Sequence, residues 1–394
     1  MFWILAALLF DPIQELSIVQ EELNQQLPGS IWNCEEIGTG NINFIYLANN
    51  GDRKVIVKKD LDFARINPEE FPLPLERLLY EYRAYVLYKK MVPEYVPEIY
   101  FFDFDRGMLA MEYLFPHLLL RQGILKGEKY PFLAEHLGVF LARSLYFSSC
   151  YHLSKGELEE NMALFSENKA MRQIICDLNF TDPFYGSPLN HWTAPELDEI
   201  AEDLQTDLRI KTVVDEMKEK FLNTPEALSH GDLHTGSILV TSTDTKMIDA
   251  EFASYAPISF DIGMLLGNLV MATFSADAHS IDRIWLAKTT VQIWDVFEEE
   301  FRKLWKCAEV NVEQKLQEIW IDTLRLMGIE ICRRTIGVAH SADFETIGDR
   351  ALKASIEKKA LLFAKELLLK ADDEFFDSKA LECRLSQDSM SYFN

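Results

Sequence analysis

The part of the chain richest in reactive side chains is His230-Gly231-Asp232-Leu233-His234-Thr235-Gly236-Ser237, followed seventeen residues after Asp232 by Asp249-Ala250-Glu251. Phosphoryl transfer asks for one carboxylate to orient an attacking hydroxyl and another to hold magnesium against phosphate oxygens, close together but not competing for one partner. A loop acid followed by an acid at a hairpin end meets that need. Taken singly, the first motif reads equally as a capped turn and the second as a solvated acidic turn; their order and spacing select the chemical reading. A second element, Gly38-Thr39-Gly40-Asn41-Ile42-Asn43, lies between two strand-like runs. Glycines there let backbone amides approach phosphate oxygens without a side-chain clash. A GxG pair alone is usually a hairpin turn, but eighteen residues after Gly40 stands Lys58, placed to reach phosphates, and Glu81 on the following helix can hold it. Lys59, on the opposite face, is expected to be solvent-exposed.

These groups need a scaffold, and the patterning supplies one. From about Ile31 to Glu112 the chain reads as strands with one helix: Val55 and Val57 alternate with Ile56 and Lys58, and Met108 to Met111 is a further apolar run. Pro72 and Pro74 precede Leu75, Leu78, Leu79, Tyr82 and Val86, spaced for a helix whose first turn tolerates proline. Beyond Pro116 helices dominate, with stripes at Leu133, Leu137, Phe140, Leu141 and Leu145 and at Leu352, Ile356, Phe363 and Leu367. The exception is Leu228 to Ser254, where Ile238–Val240 and Met247–Ile248 flank the polar turn Thr241–Thr245 and predict a hairpin. Glycine loop, strand lysine, helix glutamate, apolar strand ending at Glu112, HxD loop and metal acid follow the order of parts in protein kinases. The expected fold is therefore α+β and bilobal, protein-kinase-like, with a helical extension over 1–30, a sheet-rich small lobe over 31–112 and a mostly helical large lobe over 113–394.

Composition sets limits. With 394 residues, 48% of them hydrophobic and 26% charged, the chain has ample material for a large core. A net charge of −24 argues against nucleic-acid or anionic-membrane partners, so any phosphate site must be locally basic. Six cysteines without a CxxC pair or zinc-ligand spacing fit a reduced, cytoplasmic protein. The apolar start, Met1 to Phe10, lacks a basic n-region and is too short to span a bilayer; a packed terminal segment is expected.

On these residues the chain resembles the aminoglycoside-phosphotransferase-like kinases, and HGDLHTGS followed by DAE is similar to the methylthioribose kinase family. The resemblance runs from about Ile18 to Ala371 and includes Phe180-Thr181-Asp182-Pro183 before Trp192, Phe260-Asp261-Ile262-Gly263, and Arg333-Arg334 leading to Ala339-His340-Ser341-Ala342-Asp343-Phe344-Glu345. Ser237 stands where most of the superfamily carries a metal-binding asparagine, a serine that methylthioribose kinases share. Glu251 is then the supplier of the lost ligand. Ala250 departs from the family's proline, and Phe71 from a tryptophan in a loop over the substrate.

The resemblance implies ATP- and magnesium-dependent phosphorylation of the anomeric hydroxyl of S-methyl-5-thioribose, a step of methionine salvage, by a cytoplasmic homodimer. It makes Asp232 the catalytic base and Asp249 and Glu251 the metal acids, with Ala250 between them. Gly38, Gly40, Asn41, Asn43, Lys58 and Glu81 would serve the ATP phosphates, and Glu112, Tyr113 and Leu114 the adenine. A helical arginine pair is more often a surface pair or a partner for buried acids; the resemblance instead places Arg333 and Arg334 on the sugar, under Phe71 as an aromatic lid. His230 and Asp261 would brace the loop, His340 would be structural, and His234 either surface or brace. Two alternatives stand beside this reading: a related kinase acting on choline, homoserine or an aminoglycoside, and an inactive scaffold. The second is opposed by the presence of Lys58, Glu81, Asp232, Asp249 and Glu251 together.

Overall fold

The computed structural model describes residues 12–29, 31–37, 43–60, 74, 76–375 and 377–386. Gly38, Gly40, Asn41, Phe71 and the segment Met1 to Phe10 lie outside the described residues.

The small lobe is a five-stranded antiparallel sheet in the order β1 (Asn33–Glu36), β2 (Phe44–Asn49), β3 (Lys54–Lys59), β5 (Met108–Glu112), β4 (Ile99–Asp103). Alternation sends Phe44, Tyr46 and Ala48 of β2 and Val55 and Val57 of β3 to one face, where helix α1 (Pro12–Gln26) covers them with Val19 and Leu23. Helix α2 (Arg77–Met91) lies between β3 and β4 in the chain and buries Arg77, Leu78, Glu81, Ala84, Tyr85 and Tyr88 along one stripe. Arg77 and Glu81, one turn apart on that stripe, are the unusual members, since buried charges persist only when paired. Lys59 departs from the expected exposure: it is half-buried and donates to the Arg106 carbonyl.

After Glu112 the chain passes into the larger, mostly helical lobe, giving the two-lobed α+β arrangement. Its principal helices are α3 (Leu133–Phe147), α4 (Ser259–Ser275), α5 (Arg283–Leu304), α6 (Val312–Ile336) and α7 (Arg350–Lys370). All five apolar positions of the α3 stripe are buried; on α7, Ile356, Phe363 and Leu367 are buried but Leu352 is exposed, and Ala360, Leu361, Ala364 and Leu368 complete the packed face. Every residue of α4 is buried, and two glycines on it set how closely α6 can approach. A Cβ at Gly263 would stand 2.4 Å from Leu326 Cβ, and one at Gly267 3.1 Å from Glu330 Cβ. That approach sets α6 against the chain that carries the reactive acids.

The predicted hairpin forms as β8 (Ile238–Val240) and β9 (Thr245–Met247), with Ile238 opposite Met247, and gains a third strand, β6 (Leu118–Leu119), on the far side of β8. Strands β7 (Ala227–Ser229) and β10 (Ser254–Ala256) pair on either side of it in sequence. Because β7 leads into the 230–237 loop and β10 receives the chain after Glu251, that pairing brings the two acidic segments side by side. Among the described residues, no helix is long and apolar enough to cross a membrane.

Candidate active site

The 230–237 loop is braced from three directions. Asp261 at the start of α4 accepts from Ser229 Oγ (2.7 Å), His230 N (2.6 Å) and Gly231 N (3.0 Å), so a single carboxylate holds three successive residues. The His230 ring accepts from Asp232 N at Nδ1 (3.4 Å) and donates from Nε2 to the Ile248 carbonyl (2.9 Å), tying the loop to the segment before Asp249. Gly231 has a φ of 87°, and a Cβ there would lie 2.3 Å from the Phe252 carbonyl oxygen, so only glycine fits. Ser237 spends its hydroxyl on the loop, accepting from His234 N (2.9 Å) and donating to the Asp232 carbonyl (3.0 Å).

This bracing presents the Asp232 carboxylate to the cleft. Arg334 Nη2 lies 3.2 Å and Arg333 Nη1 3.6 Å from its Oδ1, and His234 Nε2 3.3 Å from its Oδ2. Burial opposes ionisation of Asp232, but His234, Arg334 and Arg333 outweigh it and hold the carboxyl well below its ordinary value. His234 accepts from Gly236 N at Nδ1 (2.8 Å), which leaves the Nε2 proton for Asp232. Burial lowers the His234 pKa despite the neighbouring Asp232. The unfolded chain therefore takes up a proton near pH 6.5 that the folded chain refuses, so this contribution to stability is present above that pH and is lost as the pH falls. Urea unfolding at pH 7.5 and 5.5 is expected to show a smaller loss in His234→Gln than in the parent, by at most about 1.4 kcal/mol; an equal or larger loss in the variant contradicts the assignment.

A second cluster lies where the lobes meet. Lys58 Nζ is 2.6 Å from Glu81 Oε2, 2.5 Å from Asp249 Oδ1 and 3.5 Å from Glu251 Oε2. Burial works against the ammonium, yet Asp249, Glu251 and Glu81 keep its pKa well above the ordinary value. Burial pushes Glu81 up to about 7, Lys58 pulling the other way. Asp249 sits in the left-handed region with φ 71°, where a non-glycine residue is strained and usually serves a site. Its N–H donates to Tyr85 Oη (3.0 Å), and that hydroxyl donates to Glu81 Oε1 (3.1 Å), so one tyrosine fixes both acids. Asn168 holds the rest of the segment, donating to the Glu251 and Ala253 carbonyls.

These residues suit a hard divalent cation. Glu81, Asp249 and Glu251 each offer a carboxylate oxygen within 4.8 Å of the others, and magnesium takes oxygen ligands. With Asp60 they make four acidic groups around Lys58 and Arg77, of which burial pushes Asp60 up to about 8, as it pushes Glu81, leaving Asp249 and Glu251 as the acids to carry charge toward a cation. Asp249 remains half-exposed to the cleft, leaving it open to a ligand.

The structure thus gathers eight of the expected residues: Asn43, Lys58, Glu81, Asp249 and Glu251 in one cluster, Asp232, Arg333 and Arg334 in the other. Ala250 between the two acids is buried. Glu112 pairs with Val55 in β3, and Tyr113 and Leu114 follow as the chain leaves the sheet; Tyr113 stacks on Phe115. His340 is a brace, bonded through Nδ1 to Glu345 and through Nε2 to the His191 carbonyl. Sequence reasoning placed His230, Asp261 and Glu81 as supports but missed Glu330, Asn268 and Arg121. Glu330, one turn before the arginine pair, bonds Arg334 Nε (2.8 Å) and Arg333 Nη1 (3.4 Å) and accepts from Asn268 of α4 (2.8 Å). Asn268 in turn accepts from Arg121 (2.6 Å), whose Nε donates to Thr235 of the loop (3.0 Å). A signal existed: Glu330 and Arg334 stand at i and i+4 on one helix, the spacing of a charge pair.

A paired loop acid and hairpin-end acid, a lysine held by a helix glutamate and a two-lobed frame define a kinase-type phosphotransferase. The chain matches the family described as phosphotransferase enzyme family over residues 33–299 and belongs to it. Within that class, it is 34% identical over 393 residues to methylthioribose kinase 1 of Oryza sativa subsp. japonica, covering 91% of each chain. It is 36% identical to methylthioribose kinase of Escherichia coli, over 87% of this chain and 89% of that one, and 37% identical to methylthioribose kinase of Bacillus cereus, over 85% and 86%. The chain is a member of the methylthioribose kinase family.

Proposed function

We propose that the chain transfers the γ-phosphoryl group of ATP to the anomeric hydroxyl of S-methyl-5-thioribose, giving the 1-phosphate and ADP. The observation that carries this most directly is the seating of Arg334 and Arg333 on the Asp232 carboxylate. Asp232 accepts a hydrogen bond from the sugar hydroxyl and orients its oxygen toward phosphorus. With its pKa held so low, Asp232 is a weak base, so it takes the proton late, once the new oxygen–phosphorus bond is forming and the bond to the bridging oxygen of ADP is breaking. Lys58, fixed by Glu81, would hold ATP phosphate oxygens. Glu112, Tyr113 and Leu114 would receive the adenine, and Gly38, Gly40, Asn41 and Asn43 would serve the phosphates. Asp249 and Glu251 would hold magnesium, which supplies neutralisation of charge on the phosphate oxygens. Phe71 belongs to this reading as the aromatic lid.

Charge favours a neutral acceptor over a cationic one. Around the acceptor side, Arg121, Arg333 and Arg334 face Asp232, Glu330 and Asp343, three positive groups against three negative. A choline-like or aminoglycoside substrate needs surplus carboxylate, which this balance does not leave. The same reading carries a homodimer in a cytoplasmic setting, to which the thiols of Cys34, Cys150, Cys176, Cys307 and Cys332 are suited.

The test is a coupled ADP-release assay with magnesium and ATP across methylthioribose, ribose, choline, homoserine and an aminoglycoside. Turnover confined to methylthioribose, with KM raised roughly 10- to 100-fold in Arg334→Lys at unchanged KM for ATP, is the expected result. Turnover on a cationic acceptor alone overturns the substrate assignment and leaves the chemistry standing.

A further inference from the structure

Arg77 stands at the first position of α2, is fully buried, and belongs to none of the motifs that mark the site. Its guanidinium joins four separate parts of the chain. Nε lies 3.1 Å from Asp60 Oδ2, just beyond β3, and 3.3 Å from Glu251 Oε2 in the large lobe. Nη2 donates to Asn43 Oδ1 at 2.5 Å, and Nη1 to the Pro74 carbonyl at 3.3 Å. Asn43 closes the triangle by donating from Nδ2 to the same Glu251 oxygen at 3.2 Å. Glu251 Oε2 is thereby held by three small-lobe groups, Asn43, Arg77 and Lys58.

We infer that Arg77 is a positioning residue for nucleotide and metal: it holds Glu251 through Oε2, which would leave the other carboxylate oxygen for the metal, and ties Asn43, at the end of the glycine-rich segment, to the same acid. The inference rests on the proposed role of Glu251. A fully buried guanidinium is unfavourable unless its charge is paired, and this one stands in ion-pair range of Asp60 and Glu251 through Nε and hydrogen-bonds Asn43 through Nη2, joining the metal acid to the end of the glycine-rich segment. Glu81 lies one turn later on the same helix, so α2 delivers two groups to the cleft: Glu81 sets the lysine and Arg77 the metal acid. The arrangement makes binding of metal–nucleotide depend on the small lobe sitting correctly over Glu251.

The test measures Mn2+ binding by electron paramagnetic resonance in the presence of ADP, beside steady-state kinetics, on Arg77→Lys, Glu251→Gln and the double variant Arg77→Met with Asp60→Asn, which avoids stranding a buried carboxylate. The double variant is expected to bind Mn2+ about 10- to 100-fold more weakly, as Glu251→Gln does. KM for ATP should rise in step and KM for the sugar should not move, with partial recovery in Arg77→Lys. A double variant with parental thermal stability and parental Mn2+ affinity, beside a Glu251→Gln that has lost it, reduces Arg77 to packing and overturns the inference. Parental Mn2+ binding in Glu251→Gln removes the metal role of Glu251 itself, and the inference falls with it.

Discussion

Replacing Asp232 by asparagine is expected to lower kcat by about 10³-fold while leaving the affinity for ADP unchanged. The amide keeps the shape of the side chain but loses its charge and its capacity to take a proton. Asp232 is 3.2 Å from Arg334, 3.6 Å from Arg333 and 3.3 Å from His234, three donors that converge on a group able only to accept. An asparagine must turn its own NH2 toward one of them, so the substrate hydroxyl meets both a missing acceptor and a pocket one unit more positive. The nucleotide cluster is separate, for Lys58 is held by Glu81, Asp249 and Glu251. Steady-state turnover with saturating sugar, together with calorimetric titration of ADP, checks both halves. A variant within about tenfold of the parent removes Asp232 from the chemistry.

How much of this was written in the sequence depends on the range of the interaction. The hairpin between the two acidic segments, the strand carrying Lys58 and the helix carrying Glu81 are local patterns of period 2 and 3.6, and each forms, though the second hairpin strand takes in Thr245 of the expected turn and stops at Met247, and Val86 of the expected helix stripe is exposed. The pairing of Lys58 with Glu81 also followed, because the order of motifs matched a known one. Periodicity said nothing of Arg77, since an arginine at a helix start reads as a solvated charge; its burial arises from Asp60, Asn43 and Glu251, brought to it only by folding of both lobes. The same holds for Tyr85, which the apolar spacing of that helix did not include and whose hydroxyl links Glu81 to Asp249. Leu352 failed in the opposite sense: it continues the stripe of α7 in spacing but is exposed, the first turn of that helix meeting its neighbours through Arg350 and Lys353 instead. The expectation that Lys59 faces solvent failed because a strand's outer face can still meet a neighbouring turn, here the one at Arg106. Supports inside a motif, such as Asp261 and Glu81, announce themselves with it; supports outside every motif, such as Arg77 and Tyr85, are ordinary until their partners are known.

The second large effect is expected at Asp249, and its backbone dictates which variant tests it. At φ 71° the residue occupies a conformation that asparagine accepts readily and alanine does not. Asp249→Asn therefore keeps the turn and the N–H bond to Tyr85, whereas Asp249→Ala mixes lost chemistry with backbone strain of about 1 kcal/mol or more. In the asparagine variant Lys58 still has Glu81 at 2.6 Å, so the lysine stays in place and only the charge offered to a cation changes. Because the cluster then keeps one strong carboxylate fewer on the side open to the cleft, kcat is expected to fall about 10³-fold, equivalent to about 4 kcal/mol of transition-state stabilisation. KM for the sugar should hold, since Arg333 and Arg334 take their places from Glu330 and Asp232. Mn2+ titration with ADP separates the causes: weakened Mn2+ binding with lost turnover supports the metal role, whereas full Mn2+ binding with lost turnover assigns Asp249 to holding Lys58 alone. Parental turnover in Asp249→Asn would place the site elsewhere in the cleft.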